Sequence, residues 1–88
     1  MMELKPEELG AVANRLRKAQ GQIGGILRMI EQGRDCTDIV TQLVAVNHAM
    51  DRAGFAMIAA SLKQCLSEPG GADSEDAQNL EKLFLSLA

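Results

Sequence analysis

Residues Cys36 to Leu66 read as one helix of about thirty residues, and that helix sets most of what an 88-residue chain can become. Asp35 or Thr37 can cap its start, and Ser67-Glu68-Pro69-Gly70-Gly71 breaks the chain at its end. Ile39, Val40, Leu43, Val46, Met50, Met57, Ile58 and Leu62 give it an apolar face. Asp38, Asp51, Arg52 and Lys63 exclude it as a membrane span. At 1.5 Å per residue such a helix is about 45 Å long. One short chain has too little else to cover it, so association between chains is expected from the outset.

The remaining segments also read as helices. Pro6 suits a first helical position, with Glu7 and Glu8 in the positive first turn. Leu9, Val12, Leu16, Ala19, Ile23, Ile26 and Ile30 follow at spacings of three and four, a coiled-coil-like stripe. Gly33 is the expected stop. Gly21, Gly24 and Gly25 each cost roughly 1 kcal/mol against Ala inside a helix, which points to a close approach by another helix or by a ligand. Asp73 or Ser74 can cap a short last helix that places Leu80, Leu83, Phe84 and Leu87 on one side. The expectation is a single all-α domain over residues 1–88, a three-helix protomer with helices near 6–32, 36–66 and 74–87.

With no Trp or Tyr and two Phe, an aromatic-lined ligand pocket is not expected. The net charge of −3 hides an uneven distribution. From Arg15 to Arg34 the bases are Arg15, Arg17, Lys18, Arg28 and Arg34, against Glu31 alone. From Glu68 to Glu81 every charge is acidic. A basic first half suits a polyanion, although a solvated helix face reads the same way. The opening MMELKPEELG lacks the apolar core of a signal peptide; a cytoplasmic protein is expected. No nucleophile–base–orienter set is visible, which argues against an enzyme.

Cys36 and Cys65, the only cysteines, are 29 residues apart on the long helix. They return to nearly the same face, roughly 20° apart, but stand about 43 Å apart along the axis. Two copies packed antiparallel bring Cys36 of one chain opposite Cys65 of the other, and twofold symmetry makes the pairing twice. Val40, Leu43, Asn47, Met50, Gly54, Met57 and Ser61 track the stripe between them. Two small buried hydrophobes are the competing interpretation.

Arg15, Leu16, Lys18, Gly21, Gln22, Gly25, Ile26, Cys36, Gln42, Leu43 and Ala45 stand at spacings that resemble the copper-sensing, CsoR/RcnR-type family of bacterial repressors. The resemblance covers residues 10–88. It implies an antiparallel helical dimer assembling into a disc-like homotetramer that binds operator double-stranded DNA and releases it when an inducer binds. Arg15, Arg17, Lys18, Gln22 and Arg52 are then the DNA-binding residues, with Gln22 meeting phosphate or a base edge. Gly24 stands where many relatives carry Arg.

The family's Cys–His–Cys copper site maps onto Cys36, Ser61 and Cys65, so its histidine is replaced by a serine. Serine is a poor ligand for soft Cu(I). Asp35 replaces a supporting tyrosine, and Glu81 matches an acidic support from the third helix. His48 falls off the pattern and reads as structural or surface; Met29, Met50 and Met57 read as core. Two cysteines without the histidine resemble the persulfide-sensing branch, in which reactive sulfur species bridge two chains and no cofactor is held. That chemistry needs an accessible thiolate and a resolving thiol. Cys36, at a helix N-terminus, is the better nucleophile, although Asp35 and Asp38 oppose the effect. Cys65 is the resolving partner. Three alternatives remain: Cu(I) held by the two thiolates, a formaldehyde sensor in which Cys65 is surplus, and a helical-bundle interaction protein without DNA binding.

Overall fold

A computed structural model describes Leu4, Glu7 and Leu9–Ala88. Helix α1 spans Gly10–Glu31, α2 spans Cys36–Leu66 and α3 spans Glu75–Leu87, with a short 3-10 helix at Gly71–Asp73 before α3. The described residues contain no strand. The expected ends hold closely for α2 and α3. The first helix begins at Gly10 rather than near residue 6, because the backbone of Leu9 (φ −99°, ψ 1°) is not helical and Leu9 supplies no side-chain cap. Pro6 and Glu8 lie outside the described residues.

Local chemistry explains each boundary. Gly33 adopts φ 67°, which costs an L side chain energy and glycine nothing. Its N–H reaches Ile30 O at 3.1 Å and the Arg34 N–H reaches Met29 O at 2.9 Å, the paired bonds of a Schellman stop. Asp35 then caps α2 by accepting from the Thr37 N–H at 3.2 Å. Ser74 caps α3 by accepting from the Ala77 N–H at 3.1 Å.

The tight turn at 32–35 lays α1 antiparallel on α2, and α3 folds back on the far half of α2. The Phe55 and Phe84 rings meet edge to face, 5.4 Å apart. Leu87 lies over Gly54, where a Cβ would come within 2.9 Å of its Cδ1. The close approach expected at Gly21, Gly24 and Gly25 does not occur within the protomer. A Cβ at Gly21 would meet nothing within 4 Å, and at the other two only the Arg28 guanidinium.

The apolar stripe of α1 is divided. Val12, Ala19 and Ile26, seven residues apart, are buried against α2, whereas Leu16, Ile23 and Ile30 remain 42%, 45% and 56% exposed. On α2 the first half of the stripe, Val40, Leu43 and Met50, is bare. Met50 and Met57 are therefore not core residues of the protomer, and Met29 is half-buried. No large side chain is fully buried among the described residues. The radius of gyration is 16.7 Å, against about 12 Å for a compact domain of this length. The accessible surface is 6536 Å², against about 5,000 Å² for a compact monomer of this mass. The surplus has the size of one partner's share of a large obligate interface.

Candidate DNA-binding groove and sensing thiols

Arg15, Lys18 and Gln22 recur along one side of α1 at spacings of three and four. Antiparallel packing sets them opposite Ala45, His48, Ala49 and Arg52 of α2, and together these seven residues line one groove of about 350 Å³. Small Ala45 and Ala49 keep its floor low, so the longer side chains stand as its walls. Three cationic groups converge there with no acidic residue on the lining. Gln22 Oε1 is buried and has no hydrogen-bond partner among the described residues.

Four of the five residues expected at a DNA surface thus share one place. Arg17 does not: its Nη1 donates to Asn14 Oδ1 at 2.8 Å, on another side of α1. His48 joins instead, exposed as expected of a surface residue but on the wall of the groove. Its signal in the sequence was its place four residues before Arg52, one turn away on the same face. The Arg28 guanidinium lies 3.7 Å from the place a Gly24 Cβ would take, so a cation occupies the surface beside Gly24 after all.

The two thiols have opposite surroundings. Cys36, the first residue of α2, is exposed. The neighbouring acids are partly engaged, Asp35 by its cap bond and Asp38 by Arg34 at 3.6 Å. That ion pair is solvent-exposed and contributes little stability, but it offsets the charge of Asp38 beside the thiol.

Cys65, in the last turn of α2, is 6% exposed and closed in by its own chain. Its Sγ lies 3.1 Å from Ser74 Oγ and 3.4 Å from Gly71 O. The turn packs so tightly that a Cβ on Gly71 would sit 1.9 Å from Cys65 O. The structure therefore does not bring Cys36 and Cys65 together within a protomer. Ser61, one turn before Cys65, is 5% exposed. Glu81 stands with Leu62, Leu66, Ala77 and Phe84 around an apolar cleft between α2 and α3, not in the pocket beside Cys65. No three His, Cys, Asp or Glu side chains cluster as a metal site among the described residues. None of the described helices is long and apolar enough to cross a membrane.

A family model described as a metal-sensitive transcriptional repressor matches residues 8–86. The copper-sensing transcriptional repressor CsoR of Mycobacterium ulcerans is 40% identical over 57 residues, covering 65% of this chain and 49% of that protein. The copper-sensing transcriptional repressor RicR of Mycobacterium tuberculosis is 38% identical over 55 residues, covering 62% of this chain and 57% of that protein. An uncharacterized protein, YrkD of Bacillus subtilis, is 44% identical over 59 residues, covering 67% of this chain and 92% of its own length. The matched segment spans about half the length of the copper-sensing relatives.

Proposed function

The chain belongs to the metal-sensitive transcriptional repressor family, and on that premise we propose that it represses from operator DNA and is released when reactive sulfur species join Cys36 of one chain to Cys65 of another. The groove of Arg15, Lys18 and Arg52 supports the DNA half of this reading. The divided stripe of α1 and the bare half of α2 support a homotetramer built from antiparallel dimers, and a cytoplasmic location goes with the repressor reading. Assembly repeats the groove on each chain, so modest charge per protomer becomes a broad basic face. Affinity then rests on phosphate contacts and falls steeply with salt.

The asymmetry of the thiols carries the inducer reading. Cys36 is open to an incoming reagent, and Cys65 is sheltered until its cradle opens. The Cys36 thiolate attacks the terminal sulfur of an organic persulfide. The sulfur–sulfur bond breaks, the organic thiolate leaves and Cys36 becomes a persulfide. The Cys65 thiolate of a second chain attacks the inner sulfur of that group, expels hydrosulfide and leaves a disulfide bridge. Where Cys65 has also become a persulfide, the Cys36 persulfide anion displaces its terminal sulfur as hydrosulfide and leaves a trisulfide. In each case two thiols are oxidised and one sulfane sulfur is reduced to sulfide.

The second reading is Cu(I) held by the Cys36 and Cys65 thiolates of two chains, with no nitrogen ligand from position 61. The copper-sensing names of the relatives favour it; the buried Ser61, with its hard oxygen, disfavours it. Fluorescence anisotropy with DNA from upstream of the gene tests both. Persulfide is expected to release the DNA, and Cu(I) to leave it bound. Release by Cu(I) with no response to persulfide puts the copper reading in its place.

A further inference from the structure

Ser74 has one proton and two lone pairs, and the structure assigns all three. Its hydroxyl donates to Gly71 O at 2.7 Å and accepts from the Ala77 N–H at 3.1 Å. The remaining lone pair faces Cys65 Sγ at 3.1 Å. Because the hydroxyl proton is committed to Gly71, the thiol is the donor in the Cys65–Ser74 contact. Gly71 O also receives the Ser74 N–H at 3.2 Å. The same oxygen lies 3.4 Å from Cys65 Sγ as an acceptor, so the thiol proton is shared between this carbonyl and Ser74 Oγ.

The cradle is suited to a cysteine bearing a proton. The atoms that meet Sγ are acceptor oxygens. The turn that supplies them is seated on the backbone of Cys65 and Leu66, with no space even for a methyl group at Gly71. Bridging by sulfur and ligation of a soft metal both replace the S–H proton and enlarge the sulfur. A changed Cys65 loses its S–H bonds to Ser74 and Gly71, and its added atoms must enter the cleft of about 150 Å³ that Cys65 lines with Glu68, Gly71 and Ser74. Either the sulfur swings out or the turn at Gly71–Asp73 moves. In both cases the hydroxyl that caps α3 is disturbed, and α3 is the element that covers Gly54 and Phe55 on the far half of α2.

We infer that Ser74 is a positioning residue that shelters Cys65 and couples the chemical state of its sulfur to the docking of α3. The inference rests on the reading of Cys65 as a sensing thiol, but it does not depend on which inducer acts. It also orders the events, since the exposed Cys36 reacts first and Cys65 follows only through an opening of the cradle.

Two measurements on the full chain test it without DNA, persulfide or copper, so it can fail while the repressor reading stands, or the reverse. The first is the rate of alkylation of each cysteine by iodoacetamide. Cys36 is expected to react well ahead of Cys65. Ser74→Ala is expected to raise the Cys65 rate roughly tenfold by loosening a capped, hydrogen-bonded turn, with the Cys36 rate as the internal control. Ser74→Thr keeps the hydroxyl and is expected to restore the slow rate. The second is amide exchange in a Cys36→Ser protein before and after alkylation of Cys65. Alkylation is expected to speed exchange at Ala77 by roughly tenfold while Val46 on the first half of α2 is unchanged. Equal Cys65 rates in the wild type and Ser74→Ala, a threonine that does not rescue, or an Ala77 amide indifferent to alkylation would each overturn the inference. If Ser74→Ala does not fold, the threonine variant and the exchange measurement decide alone.

Discussion

Cys36 and Cys65 share one helix and nearly one face of it, yet the first is open to solvent and the second is 6% exposed beneath its own chain's Gly71 and Ser74. A straight helix holds them about 43 Å apart. Any bridge between them is therefore a bridge between chains. Organic persulfide is expected to give a dimer band on non-reducing gels and added sulfur by mass spectrometry. Cys36→Ala should abolish the adduct and the band together. Cys65→Ala should abolish the band yet leave a persulfide on Cys36. A monomer that forms an internal bridge would contradict the geometry.

The groove separates the cations of α1. Arg15→Glu and Arg52→Glu, on opposite walls, are expected to weaken binding to every DNA sequence and to lower the salt slope by ~0.9 for each phosphate that is no longer neutralised. Arg17→Glu should have a smaller effect, because that guanidinium is turned to Asn14. Anisotropy titrations across a range of salt read both quantities. Equal effects at Arg15 and Arg17 would place the DNA surface elsewhere on α1.

Assembly should depend on the bare half of the stripe. The wild-type chain is expected to show the mass of a tetramer by light scattering after gel filtration. Ile23→Glu and Leu43→Glu place charges on positions that are 45% and 50% exposed in the protomer. They are expected to produce smaller species, whereas a mutation at an exposed polar site such as Gln20 should not. A wild-type monomer at micromolar concentration would remove the shared site as well.

Two glycines are expected to respond in opposite ways to alanine. Gly71→Ala drives a Cβ into the backbone of Cys65, which has nowhere to go. It should destabilise by ~1–3 kcal/mol or more. Gly54→Ala meets only the end of the Leu87 side chain, which can rotate. Its helix-propensity gain of ~1 kcal/mol should offset the repacking, leaving stability nearly unchanged. Thermal melts followed by circular dichroism check the pair.

Ser61→His tests the missing ligand. The site is tightly packed at 5% exposure, so overpacking should cost ~1–3 kcal/mol. In return, an imidazole one turn before Cys65 is expected to tighten Cu(I) binding, read by competition with a Cu(I) chelator. No gain in affinity would mean that position 61 does not face a site completed by a second chain.

The boundaries of α2 and α3 and the stop of α1 were legible in the sequence because each is a negotiation between near neighbours. Gly33 takes a left-handed backbone, Asp35 accepts from the amide two residues on, and Ser74 from the amide three residues on. The family spacing of Arg15, Gln22, Cys36 and Gln42 was legible as a resemblance to a known family. Tertiary structure decided what periodicity leaves open, since a repeat names a face without naming what covers it. It buried Val12, Ala19 and Ile26 and left Leu16, Ile23 and Ile30 for another surface. It added His48 to the groove and turned Arg17 away. It also folded the breaker after Leu66 into a cradle for Cys65, because the contacts that make it run from a helix end to residues six and nine positions later, beyond the reach of any local pattern.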